Sequence, residues 1–131
     1  MFYDFALTIP ASTDSAEGYT EELELHYGVI TRIEVQFPSG CCGLVSIGLE
    51  RFARQIIPVN TAGKMRADGQ TIIIDCEHDL YDKPHMLLAR AWNLDSRYEH
   101  TLQVRITVEH KEAGLTAVFS NSELIKALEG G

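Results

Sequence analysis

Basic residues are few and dispersed in this chain. Eleven Lys and Arg stand against nineteen Asp and Glu, a formal net charge of −8. Nucleic-acid binding rests on phosphate neutralisation by clustered cations. The densest basic group, Arg51 with Arg54, is too small to hold a phosphate backbone, so no nucleic-acid partner is expected. Cysteine is also sparse, and its three copies form an odd set in which Cys41 and Cys42 are neighbours. Adjacent cysteines seldom bridge, so a disulfide framework is not expected and synthesis in a reducing compartment is. No apolar run approaches the length of a membrane span. The opening Met1-Phe2-Tyr3-Asp4-Phe5 lacks a basic start and carries an acid where a signal's apolar run would lie, so no secretory signal is expected. Internal repeats and low-complexity tracts are missing, and helical periodicity is nearly so.

What the chain does have is a two-residue beat. Leu102, Val104, Ile106 and Val108 alternate with Thr101, Gln103, Arg105 and Thr107. Side chains on a strand point to opposite faces with period two, so this segment has one dry face and one wet face. The same beat predicts strands over Tyr3–Ile9, Glu21–His26, Val29–Phe37, Leu44–Glu50, Gln55–Ile57, Thr71–His78, His85–Trp92 and His100–Val108. In the third, Val29, Thr31, Ile33, Val35 and Phe37 share a face. In the fourth, Val45, Ile47 and Leu49 point inward, while Ser46 and Gly48 leave a bare face that another backbone can approach. Ala11–Gly18, Pro38-Ser39-Gly40, Asn60–Gly69, Tyr81–Pro84 and Asn93–Ser96 read as loops and turns. With 45% apolar residues in 131, the chain can bury a core without staples.

Eight short antiparallel strands at this spacing predict an all-β, two-sheet sandwich of jelly-roll type. It would occupy residues 1–110. Residues 111–131 would form a C-terminal arm, in which Ser120-Asn121-Ser122-Glu123 resembles a capping box ahead of Leu124, Ile125 and Leu128, the mark of a short helix.

The candidate chemical constellations are incomplete. Asp75, Glu77 and Asp79 would share one strand face and Cys76 and His78 the other. Three carboxylates suit a hard cation such as calcium, and Cys76 with His78 supplies only two soft ligands; a solvated strand end whose charges blunt an edge is preferred. His78-Asp79 matches a dipeptide of metal-dependent phosphohydrolases, but those carry it on helices. The five histidines, His26, His78, His85, His100 and His110, include no His-x-His pair of the cupin kind, although His85 and His100 can lie near each other on adjoining strands. Cys41 and Cys42 lack a positive neighbour or a base to activate them. Trp92, Tyr81, Tyr98 and Tyr27 offer an aromatic platform for sugar, against the commoner reading of Trp92 as core or interface. No catalytic, cofactor-binding or metal-binding residue is assigned, and no cofactor is expected.

One set of segments is familiar. Phe37-Pro38-Ser39-Gly40-Cys41-Cys42-Gly43-Leu44-Val45, Gln55-Ile56-Ile57-Pro58-Val59-Asn60, and Ala91-Trp92-Asn93-Leu94-Asp95 with His100-Thr101-Leu102-Gln103-Val104-Arg105-Ile106 resemble small single-domain β proteins encoded by tailed phages and phage-like elements. The similarity spans Phe2 to Val108 and carries no catalytic motif. It implies a non-enzymatic virion component, such as a capsid decoration protein or another head or tail protein, made in the host cytoplasm and docked on a lattice of capsid or other virion proteins. A symmetric homo-oligomer, a trimer first, is expected through the strand Phe2–Ile9, the segment Asn121–Leu128, or both. A carbohydrate-binding sandwich and a small metal-dependent jelly-roll enzyme are the alternatives.

Overall fold

A computed structural model describes residues 1–58 and 63–110. These residues form nine strands and no helix: β1 Phe2–Ile9, β2 Tyr19–Glu24, β3 Val29–Gln36, β4 Val45–Arg51, β5 Arg54–Ile57, β6 Met65–Arg66, β7 Thr71–Asp79, β8 Met86–Asn93 and β9 His100–Glu109. One sheet runs β1-β9-β3-β7 and the other β2-β8-β4-β5, with β6 added on β4. All pairings are antiparallel. With β6 set aside, the two four-strand orders are those of a jelly roll, in which the connections from β1 through β4 alternate between the sheets and β4 turns back into β5 within one sheet. The expected C-terminal helix at Asn121–Leu128 lies outside the described residues, as do positions 59–62 of the loop expected over Asn60–Gly69.

The core follows from the alternation. Leu7, Ile9, Leu23, Ile33, Val35, Val45, Ile47, Leu49, Leu87, Leu102, Val104, Ile106 and Val108 are buried, each at an inward position of its strand. Many outward residues of the first sheet are polar and bond across strands. Thr8 meets Thr101 through their hydroxyls at 2.9 Å, Arg105 donates to Gln36 at 2.6 Å, and Arg32 meets Asp75 at 2.9 Å. One side of the sheet is therefore dry and the other solvated, as the period demands.

Several expectations need correction. Thr31 does not share the buried face of β3. The register against β9 passes from Ile30↔Val108 to Arg32↔Thr107, which leaves Thr31 as the extra residue of a bulge. The alternation restarts there, so Ile30 and Ile33 both point to the core. The loop Asn60–Gly69 contains a strand, β6, whose Met65 lies opposite Ile47 and Arg66 opposite Ser46. What approaches the bare face at Gly48 is a side chain rather than a backbone: a Cβ there would lie 2.8 Å from Gln55 Oε1. Gln55 uses that position to hold the following loop, donating to the carbonyls of Pro58 and Gly63 at 2.7 and 2.9 Å and accepting from Lys64 Nζ at 2.9 Å. Asn93 closes β8 as a fully buried residue instead of opening a solvated turn.

Candidate functional site

The hairpin between β4 and β5 is built against local preference. Arg51 pairs with Arg54, so the loop is the two residues Phe52 and Ala53. Two-residue loops of this kind want positive φ at both positions and favour Asn-Gly or Gly-Gly. Here Phe52 sits at φ 53° and Ala53 at φ 60°, conformations that L-residues with a Cβ adopt at a cost. The Phe52 side chain is 61% exposed, and the Arg51 guanidinium carbon lies 4.2 Å from its ring centroid.

Arg51 itself ends β4 at an inward position and is 6% exposed. It donates to the carbonyls of Pro84 at 2.8 Å, Asp82 at 2.9 Å and, more weakly, Met86 at 3.4 Å. It thereby holds the turn that leads into β8. Among the described residues no carboxylate lies within ion-pair distance of it. Burial pulls this guanidinium below its usual range, against the fields of Asp79 and Asp82.

Beside the hairpin opens a cleft of about 420 Å³, lined by Arg51, Phe52, Arg54, Ile56, His78, Asp79 and Asp82. It lies between β5, the edge of one sheet, and β7, the edge of the other. His78 alternates to the half-buried side of β7. Its Nε2 is buried and has no hydrogen-bond partner among the described residues. Burial, and then the charge of Arg51, push the imidazole below its ordinary range, with Asp79 opposing. The ring lines the cleft while this nitrogen stays closed to solvent, a polar group left unsatisfied.

The constellations read from the sequence are mostly dispersed. Asp75 leaves the acidic row to meet Arg32, at 2.9 Å. Among the described residues no group of three or more His, Cys, Asp or Glu is gathered as for a metal ion. Cys76 Sγ contacts the Ile30 carbonyl at 3.7 Å, and burial pushes its thiol up, as it does that of Cys41. Neither has the lowered pKa a nucleophile needs; Cys42 is exposed, at φ 50°.

His85 and His100 do not come together. His85 Nδ1 bonds the Leu80 carbonyl at 2.6 Å near the start of β8, whereas His100 Nε2 bonds Asp95 at 3.0 Å beyond its end. His26 bonds the Tyr3 hydroxyl.

The four-ring sugar platform does not form either. Tyr27 packs on Tyr81, with centroids 5.2 Å apart, and on His85 and His110 at 5.9 Å each. Trp92 lies at the far end of β8, its indole N–H donated to the Ser15 carbonyl at 2.9 Å and its ring 5.2 Å from Lys64 Nζ.

Sequence reasoning marked His78, Asp79 and the Arg51/Arg54 pair but did not join them. The hairpin that brings Arg51 and Arg54 to the cleft lacks the Gly, Asn or Asp that announces a tight turn. No family model matches this chain, and no curated protein matches its sequence.

Proposed function

We propose that this protein is a non-enzymatic assembly component, a phage virion protein such as a capsid decoration protein, that works by self-association and by docking on a protein lattice. The observation that carries the reading is the edge of β1, unpaired on its outer side among the described residues. Among the described residues this strand bonds only β9, and it runs eight residues in unbroken register, from Phe2↔Thr107 to Ile9↔His100. Its outward side chains are Phe2, Asp4, Ala6 and Thr8, a single charge among them, and Phe2 is 62% exposed. Long, flat, weakly charged edges recruit further strands. The opposite edge of the same sheet, β7, is guarded by Asp75, Glu77 and Asp79 at exposed positions. The contrast supports a built contact at β1. The resemblance of the segments around Phe37–Val45 and His100–Ile106 to small phage β proteins supports the virion setting.

Pairing β1 with β1 of a second copy would close as a two-fold dimer. A trimer requires β1 to meet a different surface of the next copy. The trimer is the expected state. Sedimentation of the full chain at tens of micromolar tests it, a concentration at which a standard-size interface is populated. Ala6→Lys and Phe2→Glu should shift the protein toward monomer without lowering its thermal midpoint appreciably. A monomeric full-length chain overturns the assembly reading. Phage particles purified from the producing cell should contain the chain by mass spectrometry, and its absence from them overturns the virion assignment.

A further inference from the structure

Four local conflicts meet in one place. Arg51 and Arg54 stand directly opposite each other across β4 and β5, where like charges repel. Phe52 and Ala53 hold positive φ. Arg51 is buried as a cation with no carboxylate in ion-pair distance among the described residues, although buried charges are ordinarily paired. His78 keeps a buried nitrogen without a partner among the described residues. Each lies on the wall of the same cleft or in the loop that carries it. Sequences are otherwise consistent with their folds, and departures from local rules concentrate at functional sites.

We propose that the cleft between β5 and β7 binds a small zwitterion with an apolar side chain, a free amino acid or short peptide, through its carboxylate, its ammonium and its side chain together. Arg54, exposed on the cleft wall, supplies charge-assisted donors for the carboxylate, and the Arg51 charge beside it adds to the positive field. Asp79 and Asp82, which line the same cleft, supply acceptors for the ammonium. Phe52 and Ile56 furnish the apolar surface. The two Arg charges balance the two Asp charges when His78 is neutral. That balance disfavours a dianion such as phosphate and matches a molecule with one charge of each sign. The volume, about 420 Å³, falls within the usual range for small-molecule sites. The proposal is independent of the β1 contact, which lies on the far edge of the other sheet from β5.

The test is a titration of the full chain with L-phenylalanine, followed by backbone amide and His78 ring resonances and by calorimetry. Hydrocinnamate, which lacks the amine, phenylalaninamide, which lacks the carboxylate, and inorganic phosphate are titrated in parallel. Saturable shifts at Arg51, Phe52 and His78 are expected, with millimolar or tighter affinity for phenylalanine. Each single-charge analogue should bind about tenfold more weakly. Arg54→Gln, at an exposed position, should weaken phenylalanine by about tenfold without lowering the thermal midpoint, and Asp79→Asn should also weaken it. No saturable shift, shifts confined to other regions, equal binding of hydrocinnamate or phosphate, or undiminished affinity in both variants overturns the proposal.

Discussion

The side-chain amide of Asn93 donates to the carbonyl of Ile9, 3.2 Å away, and so ties the end of β8 in one sheet to the end of β1 in the other. The same amide nitrogen reaches the Tyr98 carbonyl at 2.9 Å, and Asn93 Oδ1 accepts from the Asp95 N–H at 2.9 Å. Its backbone is paired with Thr13 in both directions, at 2.8 and 3.0 Å. A fully buried amide with every group satisfied fixes the packing of the end it occupies. Asn93→Ala strands several of these partners at once. We expect a loss of about 2–4 kcal/mol, since each unsatisfied buried group costs about 1–3 kcal/mol. Urea unfolding checks it, and Asn93→Asp should not rescue the stability, because the carboxylate cannot donate to Ile9 and Tyr98.

The core strand β9 allows a simpler prediction. Leu102 and Ile106 are fully buried between the sheets, on a strand bonded on both sides. Leu102→Ala and Ile106→Ala should each destabilise by about 2–5 kcal/mol. Thr107→Ala, on the solvated face, should change stability by less than about 0.5 kcal/mol. Equal effects at Ile106 and Thr107 would contradict the two-faced strand.

The β4–β5 loop predicts a gain. Phe52→Asn with Ala53→Gly places the residues that suit positive φ at both loop positions. The double variant loses the stacking of Phe52 on Arg51, worth about 0.5–1 kcal/mol at an exposed site. Against this it removes left-handed strain of about 1–2 kcal/mol per residue. Net stabilisation of about 1 kcal/mol is expected by chemical denaturation, accompanied by weaker phenylalanine binding. A variant that is less stable and binds as before would show that the loop is neither strained nor part of the cleft.

Gly18 carries a constraint of another kind. It has φ 66°, and a Cβ there would lie 2.6 Å from the Ala91 carbonyl and 2.8 Å from the Trp92 indole nitrogen. Gly18→Ala would push β8 and displace the indole that bonds Ser15. We expect destabilisation of more than about 1 kcal/mol and a red shift of the Trp92 fluorescence as the ring is exposed. An unchanged spectrum and midpoint would contradict the close approach.

Stability should fall with acid in two windows. The His78 imidazole is held below its ordinary range, first by burial and then by Arg51. The unfolded chain therefore takes up this proton more readily than the folded one. The contribution is complete above the unfolded His pKa, about 6.5, and is lost as pH falls from there through the lower folded value. Asp95 is depressed below the usual carboxylate range by the Arg97 N–H and then by His100, so its contribution persists above about pH 4 and is lost below. His78→Phe should flatten the upper window and leave the lower, and Asp95→Asn the reverse, in thermal midpoints measured against pH. A variant that alters neither window would refute its assignment.

The sandwich was legible because its signal is local. The period-two rows at Val45–Leu49 and Leu102–Val108 state which face is dry without knowledge of the partner strand, and every core residue expected from them is buried. Strand β6 was not legible, since two residues cannot display a period. It exists because Met65 finds Ile47 opposite. The bulge at Thr31 was hidden for a related reason: two neighbours of β3 impose their registers on it, and nothing in Val29–Phe37 records where they conflict.

By itself the sequence determined the class of this protein, a two-sheet antiparallel sandwich, because alternation of apolar and polar side chains is fixed residue by residue. It also determined the acidic surface and the dispersal of basic charge. Only the tertiary structure decided where polar groups end without partners. Arg51 and His78 are 27 positions apart and meet because β4 and β7 belong to different sheets that close over one another. Asn93 looks like a turn residue until Ile9, 84 positions away, is brought against it. Burial, pairing and the electrostatic environment of a side chain are properties of its neighbours in space, and those neighbours are chosen by strand order, which no local pattern encodes.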